Sequence, residues 1–481
     1  MDKIIVVFIL LVSVPFLFGQ SIAEKYQFYI DTSDIKSHIT ILASDSLEGR
    51  KTGSQGQDKA AAYINRHFKK LQLNSFDTLN YYQDFTVVKI NPSATLRINN
   101  QEKELFTDFV LSYDHSISSA SNLEGLIILS DIDDINLNKL DVKNKVVFYI
   151  DTITNDPEKK VQLWKNNYVF FSEKEAAGLV FITNDFEQIS DTYSYAFSSS
   201  KHVLESEVKP LNEMFLLFAN SGLLQNEWSD LPKNKWFQKK KYTHSISNVS
   251  FSKNTDTTHL KGRNVIGLMK GKNDAKETLL IIAHYDHLGI IDGEIYNGAD
   301  DNATGIAALI ELAEAFYVAK NQEGALEKNI LFVAVSAEEI GLLGSKYFSQ
   351  HPLIPLENII SVLNIDMIGR TDENYDHPDY IYVIGSDMIS DKLHQQNEEA
   401  NQFIKLTLDY TYNSEDHPLR LYYRSDHVHF AKQGIPSIFY FGGFHEDYHQ
   451  PTDTANKIDF SKVENITRFI FFTAWNIVNG L

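Results

Sequence analysis

The sequence predicts an α/β fold built on a mostly parallel sheet buried on both faces, with a β-rich insert before it. Three observations carry this. "ETLLIIAHYDH" (277–287), "NILFVAVSAEE" (329–339), "ISVLNIDMIGR" (360–370) and "IPSIFYFGGFHEDYH" (435–449) each open on an apolar, β-rich run. Runs that do not alternate with polar residues imply strands covered on both sides, and "TGIAALIELAEAFYVA" (304–319) is a helix suited to cover them. Residues 95–250 have another texture, short strand-like runs separated by polar turns, as in "LEGLIILSD", "KVVFYID" and "AAGLVFITND".

From the N-terminus, "MDKIIVVFILLVSVPFLFGQS" has one Lys before a short apolar run and then a polar chain, which reads as a secretory signal peptide over residues 1–20. An uncleaved N-terminal anchor is the alternative. No other stretch is long and apolar enough to span a bilayer. Next, "SLEGRKTGSQGQDKAAAYINRHFKKLQL" (46–73) is a glycine-rich loop followed by an amphipathic helix, with Ala60, Ala61, Ile64, Phe68 and Leu71 on one face.

The 481 residues allow two or three domains. A net charge of −20 gives no overall basic field, which argues against a nucleic-acid or anionic-membrane partner. The dense basic run "KNKWFQKKKY" (233–242) reads as a solvated loop. With no cysteine, disulfides and thiolate ligation are excluded, so any metal is held by His and carboxylate.

Each strand run carries His, Asp or Glu at or near its end, and in open α/β sheets ligands gather at the carboxyl ends of strands. His284 of "HYDH" is a candidate metal ligand, with Asp286 placed to accept its other ring N–H. In "NGADDNATG", Asp300 suits a carboxylate bridging two cations, while Asp301, Asn302 or Thr304 could cap the following helix. Glu338 and Glu339 are adjacent acids whose repulsion calls for a cation, one ligating while the other takes a proton. Asp366 ends a strand, and His449 follows another, with Asp453 as its candidate partner.

His445-Glu446-Asp447-Tyr448-His449 also fits H-E-x-x-H, the helical zinc-protease signature. Gly442-Gly443 before it and Pro451 after it argue for a loop, leaving His445 and Glu446 at the cleft rim.

Taken together, these motifs resemble the co-catalytic zinc aminopeptidases, a family that includes secreted bacterial leucine aminopeptidases, glutamate carboxypeptidase, glutaminyl cyclase and the transferrin receptor. The resemblance runs from Arg263 to the C-terminus and touches "LEGRKTGSQG" (47–56). It implies a three-layer zinc-peptidase domain formed by residues 21–94 and 251–481, with a central mixed sheet. The insert at 95–250 then resembles a protease-associated (PA) domain.

The resemblance further implies two zinc ions per chain. Asp300 would bridge them, His284 and Asp366 would complete one site, and Glu339 and His449 the other. Glu338 would be the general base and Asp286 the orienting residue. The Asp300–Asp301 bond would be cis, and Tyr448 and Arg424 would be candidate oxyanion or substrate contacts. The implied activity is an exported aminopeptidase acting on peptides with a free N-terminus. A glutamate-carboxypeptidase-like enzyme, a glutaminyl cyclase and a catalytically silent receptor-like protein remain the alternatives.

Overall fold

In the computed structural model the described residues are 22–76, 81–111, 119–129, 140–151, 157–187, 200–208, 214–224, 244–272, 274–324 and 326–480. The segment expected to be a signal peptide, 1–20, and the basic run 233–242 lie outside them. The chain forms two compact units, residues 88–259 and the remainder. The smaller unit therefore starts seven residues before the predicted 95 and ends nine after 250, because its bounding strands, Tyr82–Ile98 and His244–Met269, both continue into the other unit.

Within unit 88–259, Ser119–Leu129, Val146–Ile150, Gly178–Thr183 and Phe215–Asn220 pair in that order, all parallel. Phe109–Leu111 closes one edge antiparallel to Phe215–Asn220, and His244–Ser252 lies antiparallel to Ser119–Ile127 at the other. The helix Pro157–Glu173 follows the second of these strands. The β-rich insert expected from the sequence thus contains a parallel core and a helix.

The larger unit is organised by β1 (His244–Met269), β2 (Thr278–His284), β3 (Asn329–Val335), β4 (Ile359–Asp366), β5 (Tyr380–Ile384), β6 (Thr407–Asp409) and β7 (Ser437–Phe441). They lie in the order β6-β5-β7-β4-β2-β3-β1. β3, β2, β4 and β7 run parallel; the end of β1 runs antiparallel to β3, and β5 runs antiparallel to β7 and parallel to β6. All seven residues of β2 are buried, as unbroken apolar runs require of a sheet covered on both faces.

Alternation along β2 sorts the two cores. Leu279, Ile281 and Ala283 face α1 (Thr32–Leu42), α2 (Gln55–Lys70), α3 (Gly305–Glu323) and α6 (Phe460–Asn479). Leu280 and Ile282 face Phe348 of α4 (Leu343–Gln350) and Phe430 of α5 (Val428–Ala431), whose ring centroids lie 6.0 Å apart.

 Those two rings close the second core. On the first face, Phe316 of α3 meets Phe471 and Trp475 of α6, with ring centroids 4.7 and 6.0 Å away. The result is a three-layer arrangement whose strand ends are fixed from both sides.

Among the described residues no helix is long and apolar enough to cross a membrane.

α6 starts where Asp459 accepts hydrogen bonds from the amides of Ser461 and Lys462, an N-cap. Lys462 is buried; its ammonium donates to the Arg370 carbonyl at 2.8 Å and lies 3.6 Å from the centre of the Tyr380 ring. Burial lowers it from 10.5 to about 8, against the opposing pull of the Asp300 and Asp372 carboxylates. Between these two values the unfolded chain binds the proton that the folded chain has released, so stability rises with pH across that window. Relative to Lys462→Met, the wild-type protein is expected to gain about 3 kcal/mol between pH 8 and 10.5. Urea unfolding of both proteins at the two pH values measures this, and a difference that does not change with pH would refute it.

Candidate metal centre

Five chain segments deliver acids and imidazoles to one end of the sheet. β2 ends in His284, β4 ends in Asp366, and β3 runs out at Val335, three residues before Glu338 and Glu339. The irregular turn Ala299–Thr304 before α3 brings Asp301, and the loop after β7 brings His449. Three non-glycine residues here adopt left-handed backbone: Ala337 just before the glutamates, Met367 just after Asp366, and His449 itself. Such conformations persist where the surroundings over-determine them, as binding and catalytic sites do.

Asp301 sits at the centre. Its Oδ1 is 3.4 Å from His284 Nε2, and its Oδ2 is 3.2 Å from His449 Nε2. His284 Nε2 also lies 3.1 Å from Asp366 Oδ1, while His449 Nε2 lies 3.2 Å from Glu339 Oε2. Two groups of potential ligand atoms result: His284, Asp301 and Glu339, and His284, Glu338 and Asp366, each with its atoms within 4.8 Å of one another.

The electrostatics are those of acids forced together. Among the described residues, none of Asp301, Glu338, Glu339 and Asp366 pairs with a lysine or arginine. Burial pushes Glu338 well above the usual carboxylate range, and neighbouring Glu339, Asp426 and Asp366 add to this against His284. Burial likewise raises Asp286 to about 6 and Asp426 to about 7. Burial disfavours a charged His449, but the Asp301 and Glu339 carboxylates outweigh it and raise the imidazole to about 10. Buried oxygens and imidazole nitrogens without thiolates, and without a compensating side-chain cation, are the donor set that a zinc ion fits.

Several expectations need correction. Asp300 does not stand between the two ligand groups. Its Oδ1 accepts from the Gly369 amide at 2.6 Å and from the Thr304 hydroxyl, so its carboxylate is directed into the fold, and the adjacent Asp301 takes the central position. The cis peptide bond lies at Asp301–Asn302, not Asp300–Asp301. Of the candidate helix caps, Asn302 does the work, accepting from the Gly305 and Met367 amides. Asp453 does not contact His449; it accepts from the amides of Asp300 and Asp301 at 3.0 to 3.2 Å and so holds the turn.

Asp286 reaches His284 Nδ1 through its carbonyl oxygen at 3.2 Å, its carboxylate standing 4.0 Å away. That carboxylate instead accepts from Thr52 Oγ1 and the Glu338 amide, which fixes the loop carrying both glutamates. Residues 442–450 form turns and no α-helix, as the flanking glycines require. Glu446 is exposed, but the His445 ring is buried with Nε2 3.2 Å from Asp300 Oδ2, not at the rim. Tyr448 stacks on His449 with centroids 3.9 Å apart, and it lines the same pocket as Arg424.

Two residues escaped the sequence reading. His287, the second imidazole of "HYDH", is fully buried with Nδ1 2.6 Å from Glu339 Oε1. Only its spacing from His284 could have flagged it. Arg50, in "LEGR", is buried yet bonds no carboxylate: it donates to the carbonyls of Leu42, Tyr285, Asn297 and Gly298 at 2.6 to 2.9 Å. It thereby ties the residue after His284 to the start of the Asp300–Asp301 turn.

Residues 264–474 match peptidase family M28. Aminopeptidase YwaD of Bacillus subtilis (strain 168) is 27% identical over 216 residues, covering 43% of this chain and 43% of that protein. A probable zinc metalloprotease of Pyricularia oryzae is 26% identical over 260 residues, 46% of this chain and 51% of that protein. The chain thus spans about half the length of the curated relatives it matches. An aminopeptidase from Aneurinibacillus sp. strain AM-1 superposes with a TM-score of 0.51 at 17% identity, over 94% of this chain and 95% of that one, which shows a shared fold.

Arg50→Met is expected to lower stability by about 3 to 5 kcal/mol, since it strands buried carbonyls and removes a buried charge. Arg50→Lys should recover only part, because an ammonium cannot reproduce the planar fork of donors. Denaturant unfolding of the three proteins measures this; a full recovery with lysine would count against the clamp.

Proposed function

We propose that this chain is a zinc-dependent aminopeptidase with two metal ions per chain. The observation that carries the reading is Asp301, whose two carboxylate oxygens face different imidazoles, His284 and His449. Asp301 would bridge the ions, His284 and Asp366 would complete one site, and Glu339 and His449 the other. When bound, zinc would supply Lewis acidity that polarises a scissile carbonyl and lowers the pKa of water, so that hydroxide is available to attack it near neutral pH.

The chain's own groups supply the rest. Glu338 takes the proton from the attacking water and delivers it to the nitrogen of the leaving amine. Its amide is bonded to Asp286, so the base is held at the end of β3. Tyr448 stays protonated, because burial and the carboxylates of Asp301 and Glu339 raise its hydroxyl. It can therefore donate to the oxygen on which negative charge develops. Asp286 orients His284, and His287 orients Glu339. The substrates are peptides with a free N-terminus. The names of the relatives support this class of substrate, and the apolar segment at residues 1–20 supports export to the periplasm or the exterior. The pairing of "KVVFYID" with "GLVFIT" in unit 88–259 supports its reading as a PA-like module.

Glu338 also lies within ligand distance of His284 and Asp366, so base and ligand roles must be separated by experiment. Glu338→Gln is expected to keep two zinc ions per chain while hydrolysis of a leucine arylamide falls by about 10² to 10⁴. Elemental analysis and steady-state kinetics on the same sample give both numbers. Loss of one equivalent of zinc would make Glu338 a ligand, and unchanged turnover would remove it from the mechanism.

A further inference from the structure

The pocket that holds His284, Asp301, Glu338, Asp366 and His449 has a second wall of different character. Met367, Leu421, Phe439, Phe441 and Phe444 make it apolar, and they belong to one packed cluster, with Phe441 and Phe444 ring centroids 5.0 Å apart. Within that wall stands one guanidinium, that of Arg424, 5.6 Å from the centre of the Phe444 ring.

Arg424 differs from Arg370 and Arg263 of this unit. Arg370 is committed to Asp447 at 2.8 Å and Arg263 to Asp84 at 2.6 Å. Among the described residues no carboxylate lies within ion-pair distance of Arg424, and its side chain is exposed. The metal-site acids do not use it either: their contacts are imidazoles and hydroxyls, as where Ser425 donates to Asp366 at 2.8 Å. The guanidinium is therefore available to a molecule that enters the pocket. Its planar fork of donors matches a carboxylate, and it repels a lysine or arginine side chain.

Resting on the aminopeptidase reading, we propose that Arg424 is a specificity-determining residue, and that the pocket selects peptides whose first residue carries a carboxylate, glutamate or aspartate. In an aminopeptidase the chain leaves the metal site in one direction only. The side chain of the first residue is then the part of the substrate left to occupy the pocket wall. The aromatic surface would cover its methylenes while Arg424 meets its terminal carboxylate.

The test compares glutamyl, glutaminyl, leucyl and lysyl arylamides on the zinc-loaded protein, with Arg424→Gln and Arg424→Lys beside it. Glutamine is the neutral isostere of glutamate, so the Glu-to-Gln ratio of kcat/KM isolates the charge. We expect a wild-type ratio of about 10 or more at low ionic strength, shrinking as salt screens the contact. In Arg424→Gln the ratio should fall to about one, with partial return in Arg424→Lys, and the lysyl substrate should be the poorest for wild type.

A wild-type ratio near one, or a ratio that Arg424→Gln leaves unaltered, overturns the proposal. A second arm uses Leu-Gly and Leu-Gly-amide: if Arg424→Gln affects only that pair, the guanidinium reads a C-terminal carboxylate and the assignment to the first side chain is wrong. Hydrolysis of leucyl but not glutamyl arylamide refutes this inference and leaves the aminopeptidase reading standing. Failure on every arylamide overturns both.

Discussion

The constraint on which this site depends is electrostatic: acids that repel one another are packed at one end of a buried sheet with no lysine or arginine, among the described residues, paired to neutralise them. Asp301, Glu338, Glu339 and Asp366 meet three imidazoles there, those of His284, His287 and His449, and burial makes their charge costly. A fold can hold such a cluster only by protonating some members or by admitting a cation. The first route is visible in the upward shifts of Glu338, Asp286 and Asp426. The second turns the same cost into metal affinity, since every repulsion is relieved when a divalent ion arrives.

The surrounding scaffold positions these carboxylates without cancelling their charge. Asp453 and Asp286 are held by main-chain amides, and Asp300 by an amide and a hydroxyl. Arg50, which carries a full charge into this region, spends all four of its bonds on carbonyl oxygens. Its field reaches Asp301 and Asp286, but it occupies none of the oxygens a metal would need. Neutral donors fix geometry and leave the ligand atoms free. Lysine or arginine contacts would fix it equally well and compete with the ion.

Much of this was legible in the sequence, for a physical reason. Strands buried on both faces must be apolar throughout, so an acid or imidazole where such a run stops is conspicuous, and His284, Asp366 and the Glu338-Glu339 pair stood out on that ground. What the sequence withheld is orientation. Asp300 and Asp301 are adjacent and chemically identical, and the turn decides between them through a bond that the Gly369 amide donates to Asp300 and one that the Asp300 amide donates to Asp453, 69 and 153 residues away. Asp453 was paired with His449 on proximity in the chain, when its partners were amides on another segment. The bounds of the smaller unit fall inside two strands that continue from one unit into the other, so no loop marks the passage.

The loop after β7 concentrates these lessons. Its letters match the helical H-E-x-x-H signature, and three residues of the loop do face the Asp300–Asp301 turn, though not as that signature prescribes. His449 approaches Asp301, His445 approaches Asp300, and Asp453 holds the amides of both aspartates. A helix would present His445 and His449 on one face to a single ion. The turns of this loop instead spread three side chains along the two-residue Asp300–Asp301 step, so that one reaches the candidate ligand and the other two support it. Gly442 and Gly443 make this possible, because a Cβ at either would meet Met367 O or the Asp372 carboxylate at 2.5 Å. The close approach of this loop to the strand ends, rather than a helical repeat, is what brings a histidine to Asp301.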